Sequence, residues 1–191
     1  MKKFVPVCFA SIFLIGALTG CTGAGTISPS DGGTMESSRF LQSAEEERPE
    51  GAESAPLVYM TTDISADGLI SVYEALGAAL PDSGVAVKIS SGENGSNYLR
   101  PELIGQLVQT VGGTIVECNT AYGGNRANTA YHMQLAEDHG YTDIAAVDIM
   151  DADGSMALPV TGGSHLTENY VGAHFENYRY YIVLSHFKAH A

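Results

Sequence analysis

Basic residues are scarce in this chain. Nine lysines and arginines stand against 22 aspartates and glutamates, so the 191 residues carry a formal charge of −13 at pH 7. Nucleic acid and the anionic face of a membrane both repel a chain of this charge, and no basic stripe offsets it. The composition therefore excludes nucleic acid as an expected partner.

The chain also lacks an apolar run long enough to span a membrane. Residues 4–18 are apolar and follow two lysines, but a spanning helix needs about 20 residues. The tetrapeptide LTGC at 18–21 resembles the lipobox of bacterial lipoproteins. This pattern predicts a signal peptide over 1–20 and lipidation of Cys21, which would place the protein outside the cytoplasm on a membrane of the bacterial cell envelope. An uncleaved anchor is the alternative.

Cysteines are few, at positions 8, 21 and 118. If the signal peptide is removed and Cys21 carries lipid, Cys118 alone remains in the folded part and no internal disulfide can form. An iron–sulfur cluster usually takes four cysteine ligands, so one thiol cannot hold it. The chain therefore contains no iron–sulfur motif.

Aromatic and large aliphatic residues are rare between positions 21 and 56, where Gly, Ser, Thr, Ala and Glu dominate. Such a segment cannot bury enough apolar surface to offset the entropy lost on ordering. It is predicted to be a disordered acidic tether between the lipid and a domain over residues 57–191.

That domain alternates short apolar runs with helical patterns. The predicted strands lie at 57–61, 84–90 and 114–119, and the predicted helices at 67–80, 101–111 and 128–140. Parallel strands need crossover connections, so the alternation predicts an α/β fold, with a mostly parallel, Rossmann-like sheet and helices on both faces. The later elements are predicted as a strand at 144–150, a turn at 151–155, an edge strand at 156–160, a helix at 167–178 and a closing strand at 180–185.

Ligands of open α/β sheets bind beyond the carboxyl ends of the strands, so candidate residues lie in and after those ends. The candidate ligand-binding residues there are Lys88, Arg100, Asn119, Gly123, Gly124 and Arg126. Two glycines can turn backbone amides inward, and Arg126 adds a positive charge before a helix N-terminus, which suits a small anion such as phosphate or carboxylate. A tight turn with a solvated arginine is the alternative.

The chain ends on His186, Lys188 and His190 at alternate positions. The two histidines share a face in either helix or strand, and could bind a divalent metal with a third ligand from Glu93, Glu117 or Asn119. An exposed pair of histidines near a chain end is the alternative, since the glutamate of HExxH is missing. Glu93 as general base and Lys188 complete the predicted catalytic residues, with Lys188 or Arg126 holding an anionic substrate.

Five segments match one family in order and spacing: VAVKISSGENGSNYLRPELIGQLV, GGTIVECNTAYGGNRANTAYHMQLAEDHGY, VDIMDADG, PVTGGSHLTENYVGAHFENY and YYIVLSHFKAHA. Together they resemble the N-terminal half of the domain-of-unknown-function-362 family, over about residues 57–191. The resemblance implies an α/β fold that continues into a glycine-rich stretch and more sheet, so the domain is expected to be truncated here. Some relatives carry a ferredoxin-like module, whose motifs this chain lacks. The family often has histidine at Ser90 and glycine at Ala189.

Three functions stay open at this point. The first is a metal- or anion-dependent enzyme, or an iron–sulfur-associated redox protein, whose C-terminal half is missing. The second is a lipid-anchored module that binds a small anion without turnover. The third is an inactive fragment, since fold analogy is a weak warrant for activity.

Overall fold

The computed structural model describes residues 8–14, as backbone, and residues 57–186. Its α-helices are α1 (Ala66–Ala75), α2 (Pro101–Thr110) and α3 (Thr129–Asp138). Its strands are β1 (Cys8–Leu14), β2 (Val85–Lys88), β3 (Thr114–Glu117), β4 (Val147–Ile149), β5 (Ser155–Pro159), β6 (Glu168–Gly172) and β7 (Tyr180–His186). Short 3₁₀ helices lie at Asn125–Ala127, Tyr141–Asp143 and Ala173–Asn177.

Four strands of the domain form a parallel sheet in the order β7-β2-β3-β4. β1 lies parallel to β7 at the outer edge, pairing from Cys8 with Tyr180 to Leu14 with His186. β5 and β6 form a separate antiparallel pair. The predicted α/β fold with a parallel sheet and helices is confirmed. β1 falls within the predicted signal peptide, so cleavage of that signal would remove this strand.

Helices cover one face of the sheet. α2 points Ile104, Leu107 and Val108 at it, spaced three and four residues apart, and they pack with Val87 and Ile115 in the main core. Pro101 opens α2, where its missing N–H costs nothing. The helix itself begins where the sequence predicts.

The opposite face carries a smaller, aromatic core. Ala86, Val116 and Tyr181 project from the strands and pack near Met150. Phe175, from the 3₁₀ helix Ala173–Asn177, stacks on Tyr181 with ring centroids 4.9 Å apart. The connection from β4 to β7 thus covers the face that the α-helices leave open.

These connections single out the carboxyl end of β2. The chain runs from β2 to β3 through α2 on one face, and returns to β7 on the other side of β2 by way of the opposite face. In open α/β sheets the ligand crevice lies at such a reversal of strand order, beyond the carboxyl ends. Lys88 is the last residue of β2, and His186 is the last residue of the neighbouring strand β7.

The predicted first strand at 57–61 is wrong. Those residues form no strand, and the side chains of Val58 and Met60 are 87% and 66% exposed. A strand needs a partner for its backbone groups, and β1 occupies the position beside β7. Apolar content alone therefore predicted a strand where residues 57–61 pair with no strand of the described sheet.

The predicted helix at 167–178 is also wrong. Its first half is β6, which pairs with β5 from Glu168 to Gly172, and its second half is a 3₁₀ helix. A Cβ on Gly172 would lie 2.5 Å from the carbonyl carbon of Met150. The close approach of these two backbones therefore requires glycine at the junction between the strand and the 3₁₀ helix.

Several other predictions concern residues outside the described ranges. Cys21, the tether, Lys188 and His190 all lie there, so lipidation and the end of the chain stay predictions. Within residues 8–14 and 57–186, no helix is both long enough and apolar enough to cross a membrane.

Candidate functional site

A lysine–glutamate pair bridges the carboxyl ends of β2 and β3. Lys88 Nζ donates to Glu117 Oε2 at 2.7 Å and also to the carbonyl oxygen of Ile89. The Glu117 side chain is 7% exposed and that of Lys88 is 33% exposed. A carboxylate this deeply buried needs a nearby cation, and Lys88 supplies it from the rim of the sheet.

Ser91 and His132 continue this polar network into the interior. The backbone N–H of Ser91 donates to Glu117 Oε1 at 2.6 Å, and Ser91 Oγ lies 3.0 Å from His132 Nε2. His132 projects from α3 and is fully buried. Burial lowers the pKa of His132, so the imidazole is neutral at physiological pH. Its Nδ1 has no hydrogen-bond partner among the described residues.

His139, at the end of α3, holds the same loop from the other side. His139 Nδ1 lies 2.9 Å from the carbonyl oxygen of Ser91. The Tyr98 ring stacks on the His139 ring with centroids 3.7 Å apart, and the Arg100 guanidinium lies 4.5 Å from the centre of the Tyr98 ring. Arg100 therefore helps to fix the loop by stacking, and no contact places it with Lys88.

Arg126 links the loop after β3 to the loop after β2. It lies in the 3₁₀ helix Asn125–Ala127, and its Nε donates to Glu93 Oε1 at 2.7 Å. The side chain of Arg126 is 11% exposed, whereas that of Glu93 is 55% exposed. The arginine is thus fixed in the protein, and its carboxylate partner lies at the surface.

Asn119 and Asp151 order the start of the loop after β3. The backbone N–H of Asn119 donates to Asp151 Oδ1 at 2.8 Å, and its Nδ2 donates to Thr129 Oγ1 at 2.8 Å. Asn119 Oδ1 is buried without a partner among the described residues. Burial raises the pKa of the neighbouring Cys118 thiol, as does the Asp151 carboxylate, so Cys118 is protonated and a poor nucleophile.

The structure brings some of the predicted site residues together. Lys88, Glu93, Asn119 and Arg126 all lie at the carboxyl ends of β2 and β3 or in the loops that follow. Gly123 and Gly124 lie in the same loop but are exposed, and a Cβ on either would meet nothing within 4 Å. The inward turn of their backbone amides stays a prediction, and Gly124 has a φ of +133°, which suits glycine.

His186 ends β7 and is exposed. Among the described residues, no group of three or more histidine, cysteine, aspartate or glutamate side chains is arranged to hold a metal. His190, the predicted partner of His186, lies outside those residues, so a metal held by the two histidines stays a prediction.

Sequence reasoning missed the buried half of the site. Ser91, His132 and Asp151 were not predicted, and Glu117 was considered only as a metal ligand. A signal was present for Glu117, because this acidic residue directly follows the apolar, buried residues Ile115 and Val116 in a short strand. His132 lies three residues before Leu135 on the buried side of α3, where histidine needs a partner.

A second polar cluster lies on the connection from β4 to β7. His174 Nδ1 is 2.7 Å from Asp148 Oδ1, and His174 Nε2 is 2.8 Å from Asp153 Oδ2. Tyr178 donates to the other oxygen of Asp148 at 2.8 Å. The hydrogen bond with Asp148, followed by that with Asp153, raises the pKa of His174. The imidazolium thus ties the turn after β4 to the 3₁₀ helix Ala173–Asn177.

This cluster predicts a stability that falls with rising pH. The contribution of charged His174 is fully present below pH 6.5, its ordinary pKa, and is lost as the pH rises through the raised pKa of the folded state. Urea denaturation at about pH 6 and about pH 9 measures the change in unfolding free energy. A His174→Gln variant should lose this pH dependence, and an unchanged dependence would show that another group causes it.

These elements define a class of protein: an α/β domain with a polar site at the carboxyl edge of a parallel sheet. A family described as "Domain of unknown function (DUF362)" matches residues 85–191, which is more than half of the chain. The chain therefore belongs to this family, as the resemblance of its motifs implied. No curated protein and no solved structure matches it. The site described above lies entirely within the matched residues.

Proposed function

We propose that this domain binds a small anion at the carboxyl ends of β2 and β3, between Arg126 and Lys88. One observation carries the proposal: in a chain of formal charge −13, the folded domain buries an arginine at this edge of the sheet. Buried charges are costly unless paired, and the partner of Arg126 is the partly exposed Glu93, which engages only Nε, so this buried cation can hold a further anion.

Arg126 has donors to spare for that partner. A guanidinium carries five N–H donors, and among the described residues only Nε is engaged, by Glu93. Arginine binds carboxylate and phosphate oxygens through two parallel hydrogen bonds, which gives both affinity and orientation. The remaining N–H groups of Arg126 can therefore donate to the oxygens of a phosphate or carboxylate ligand.

Lys88 adds a second positive charge at the same edge. The Lys88 side chain is a third exposed, and its ammonium is bonded to Glu117. Lysine binds phosphate as a point charge and does not need the fixed geometry of arginine. A ligand held by Arg126 would thus lie over the reversal of strand order, where open α/β sheets place their ligands.

A thermal-shift series with the full chain in detergent tests the proposal. Inorganic phosphate, sulfate and small carboxylates are added at constant ionic strength, and a ligand that binds the folded state raises the melting temperature. Wild type and Arg179→Gln should be stabilised, and Arg126→Gln should not. Arg179 is the matched control, because it is exposed and precedes β7, at the amino-terminal ends of the parallel strands. Equal stabilisation of Arg126→Gln, or none in any protein, would contradict the proposal.

Turnover of the bound anion is the second candidate, and the position of Glu117 favours it. This carboxylate is held between Lys88 and the Ser91 amide at the same edge, where it could exchange a proton with a ligand. Glu93, the base predicted from sequence, is engaged with Arg126. Glu117→Gln should keep anion binding and abolish any turnover. Chemistry at a divalent metal would need His186 and His190.

We also propose that the domain works outside the cytoplasm, anchored to a membrane of the cell envelope by lipid on Cys21. The LTGC tetrapeptide and the short apolar run before it support this location. The acidic segment 21–56 would then hold the site away from the anionic lipid surface. Fatty-acid labelling of wild type, lost in Cys21→Ser, would demonstrate the anchor.

A further inference from the structure

We infer that Glu93 is an internal competitor for the anion site, a carboxylate that occupies Arg126 until a ligand displaces it. The inference rests on the proposed anion-binding function and adds how that site is regulated and which anions it favours. It is drawn from the difference in burial between the two side chains of the Arg126–Glu93 ion pair.

The arginine is fixed, while the glutamate is peripheral. Arg126 is buried, and its backbone carbonyl accepts a hydrogen bond from the Thr120 N–H at 3.1 Å, which holds the loop after β3 closed. The Glu93 side chain is more than half exposed, and its bond to Arg126 is the one contact made by its carboxylate among the described residues. Glu117 differs, because it is buried and both of its oxygens are bonded.

The local backbone allows Glu93 to leave without unfolding the loop. Glu93 heads a tight turn in which the Ser96 N–H donates to the Glu93 carbonyl at 3.0 Å, and Gly92 and Gly95 have φ values of +73° and +74°. The turn is held by backbone and Ser96 contacts, not by the Glu93 carboxylate. Ser91, which anchors the loop to β3 and α3, is a separate contact that release of Glu93 leaves in place.

The Glu93 carboxylate occupies Nε of Arg126, so it lowers the apparent affinity of ligands that bind the guanidinium side-on, through Nε and one Nη. For these ligands the observed dissociation constant is the intrinsic one divided by the fraction of molecules in which Nε is free. Partly exposed ion pairs are weak, so pairing with Glu93 lowers the fraction of molecules with a free Arg126 Nε by a factor of only about five. A single carboxylate offers Arg126 only what Glu93 already offers. A phosphate carries more charge and more oxygens than a monocarboxylate, so the site should favour phosphate-type oxyanions over monocarboxylates.

Calorimetric titration of the full chain in detergent tests this inference, with inorganic phosphate and acetate as probes. Glu93→Gln should bind phosphate about five-fold more tightly than wild type, because the competitor is gone. Glu102→Gln is the matched control: it removes the same charge from the exposed first turn of α2, and Glu102 makes no ion pair with Arg126 among the described residues. Its affinity should equal that of wild type. Wild type should bind phosphate more tightly than acetate.

The outcomes separate the two proposals. If wild type binds phosphate and Glu93→Gln binds it equally or more weakly, Glu93 positions Arg126 instead of competing for it, and the inference is overturned while the anion site stands. If Glu93→Gln and Glu102→Gln gain equally, the gain is a general charge effect and the inference is again overturned. If no protein binds phosphate or acetate, including Glu93→Gln, the proposed function itself is overturned.

Discussion

Replacing Lys88 with methionine is expected to lower the free energy of unfolding by about 3 kcal/mol, because it leaves a buried carboxylate without its cation. Glu117 would keep the Ser91 amide as a donor but lose the Lys88 ammonium at 2.7 Å. Urea denaturation of wild type and variant measures the difference. Most of the cost arises from the uncompensated charge of Glu117 and little from the lost aliphatic chain.

Glu117 provides the matched control for this prediction. In the double variant Lys88→Met with Glu117→Gln the buried charge is gone, so much of the lost stability should return. Glu117→Gln alone should cost less than Lys88→Met alone, since the partly exposed Lys88 can turn toward water. If the double variant is as unstable as the sum of the two single variants, the two side chains are not energetically coupled.

Substitutions at His132 are expected to show a strong preference for glutamine over asparagine. A glutamine amide reaches the position of Nε2, which lies 3.0 Å from Ser91 Oγ. An asparagine amide reaches that of Nδ1, which has no partner within the described part of the chain. Asparagine therefore leaves both Ser91 and its own amide unsatisfied at a fully buried position. We expect a loss of about 3 kcal/mol for His132→Asn and about 1 kcal/mol for His132→Gln by urea denaturation.

His139 is the matched control, because its hydrogen bond is made by the other ring nitrogen. There Nδ1 makes the hydrogen bond, to the carbonyl oxygen of Ser91 at 2.9 Å. Asparagine should therefore be tolerated better than glutamine at His139, while both lose the stacking on Tyr98 equally. The same order of preference at both histidines would mean that helix propensity or size decides, and not the hydrogen bonds to Ser91.

The parallel sheet was predictable because its strands are apolar and its helices are periodic. Asn128 caps α3 as the sequence suggests, with its Oδ1 accepting from the Tyr131 N–H. The failures at 57–61 and 167–178 share one cause. Whether an apolar segment becomes a strand depends on a free edge to pair with, and whether an aromatic segment bends depends on a distant backbone, as at Gly172 against Met150. Both conditions depend on residues that are distant in sequence from the segment itself.

The residues of the candidate site that follow the strand ends could be predicted from sequence, but their buried partners could not. The rule that ligands bind beyond strand ends indicated Lys88, Asn119 and Arg126 from sequence alone. The partners of those residues were hidden, because Glu117 is 29 positions from Lys88 and Glu93 is 33 from Arg126. Strand register brings the first pair together, and a 3₁₀ turn brings the second. Such pairings depend on the order of strands in the sheet.

The most direct test of the anion site follows the Nε–H signal of Arg126 by nuclear magnetic resonance while inorganic phosphate is added to the full chain in detergent. The signal is assigned by its absence in Arg126→Gln, and Arg179 at the opposite edge serves as the internal reference. A ligand held by the Arg126 guanidinium should shift the Arg126 signal to saturation and leave that of Arg179 in place. An Arg126 signal that stays fixed, or that drifts without saturating together with that of Arg179, would contradict an anion site at the carboxyl edge of the sheet.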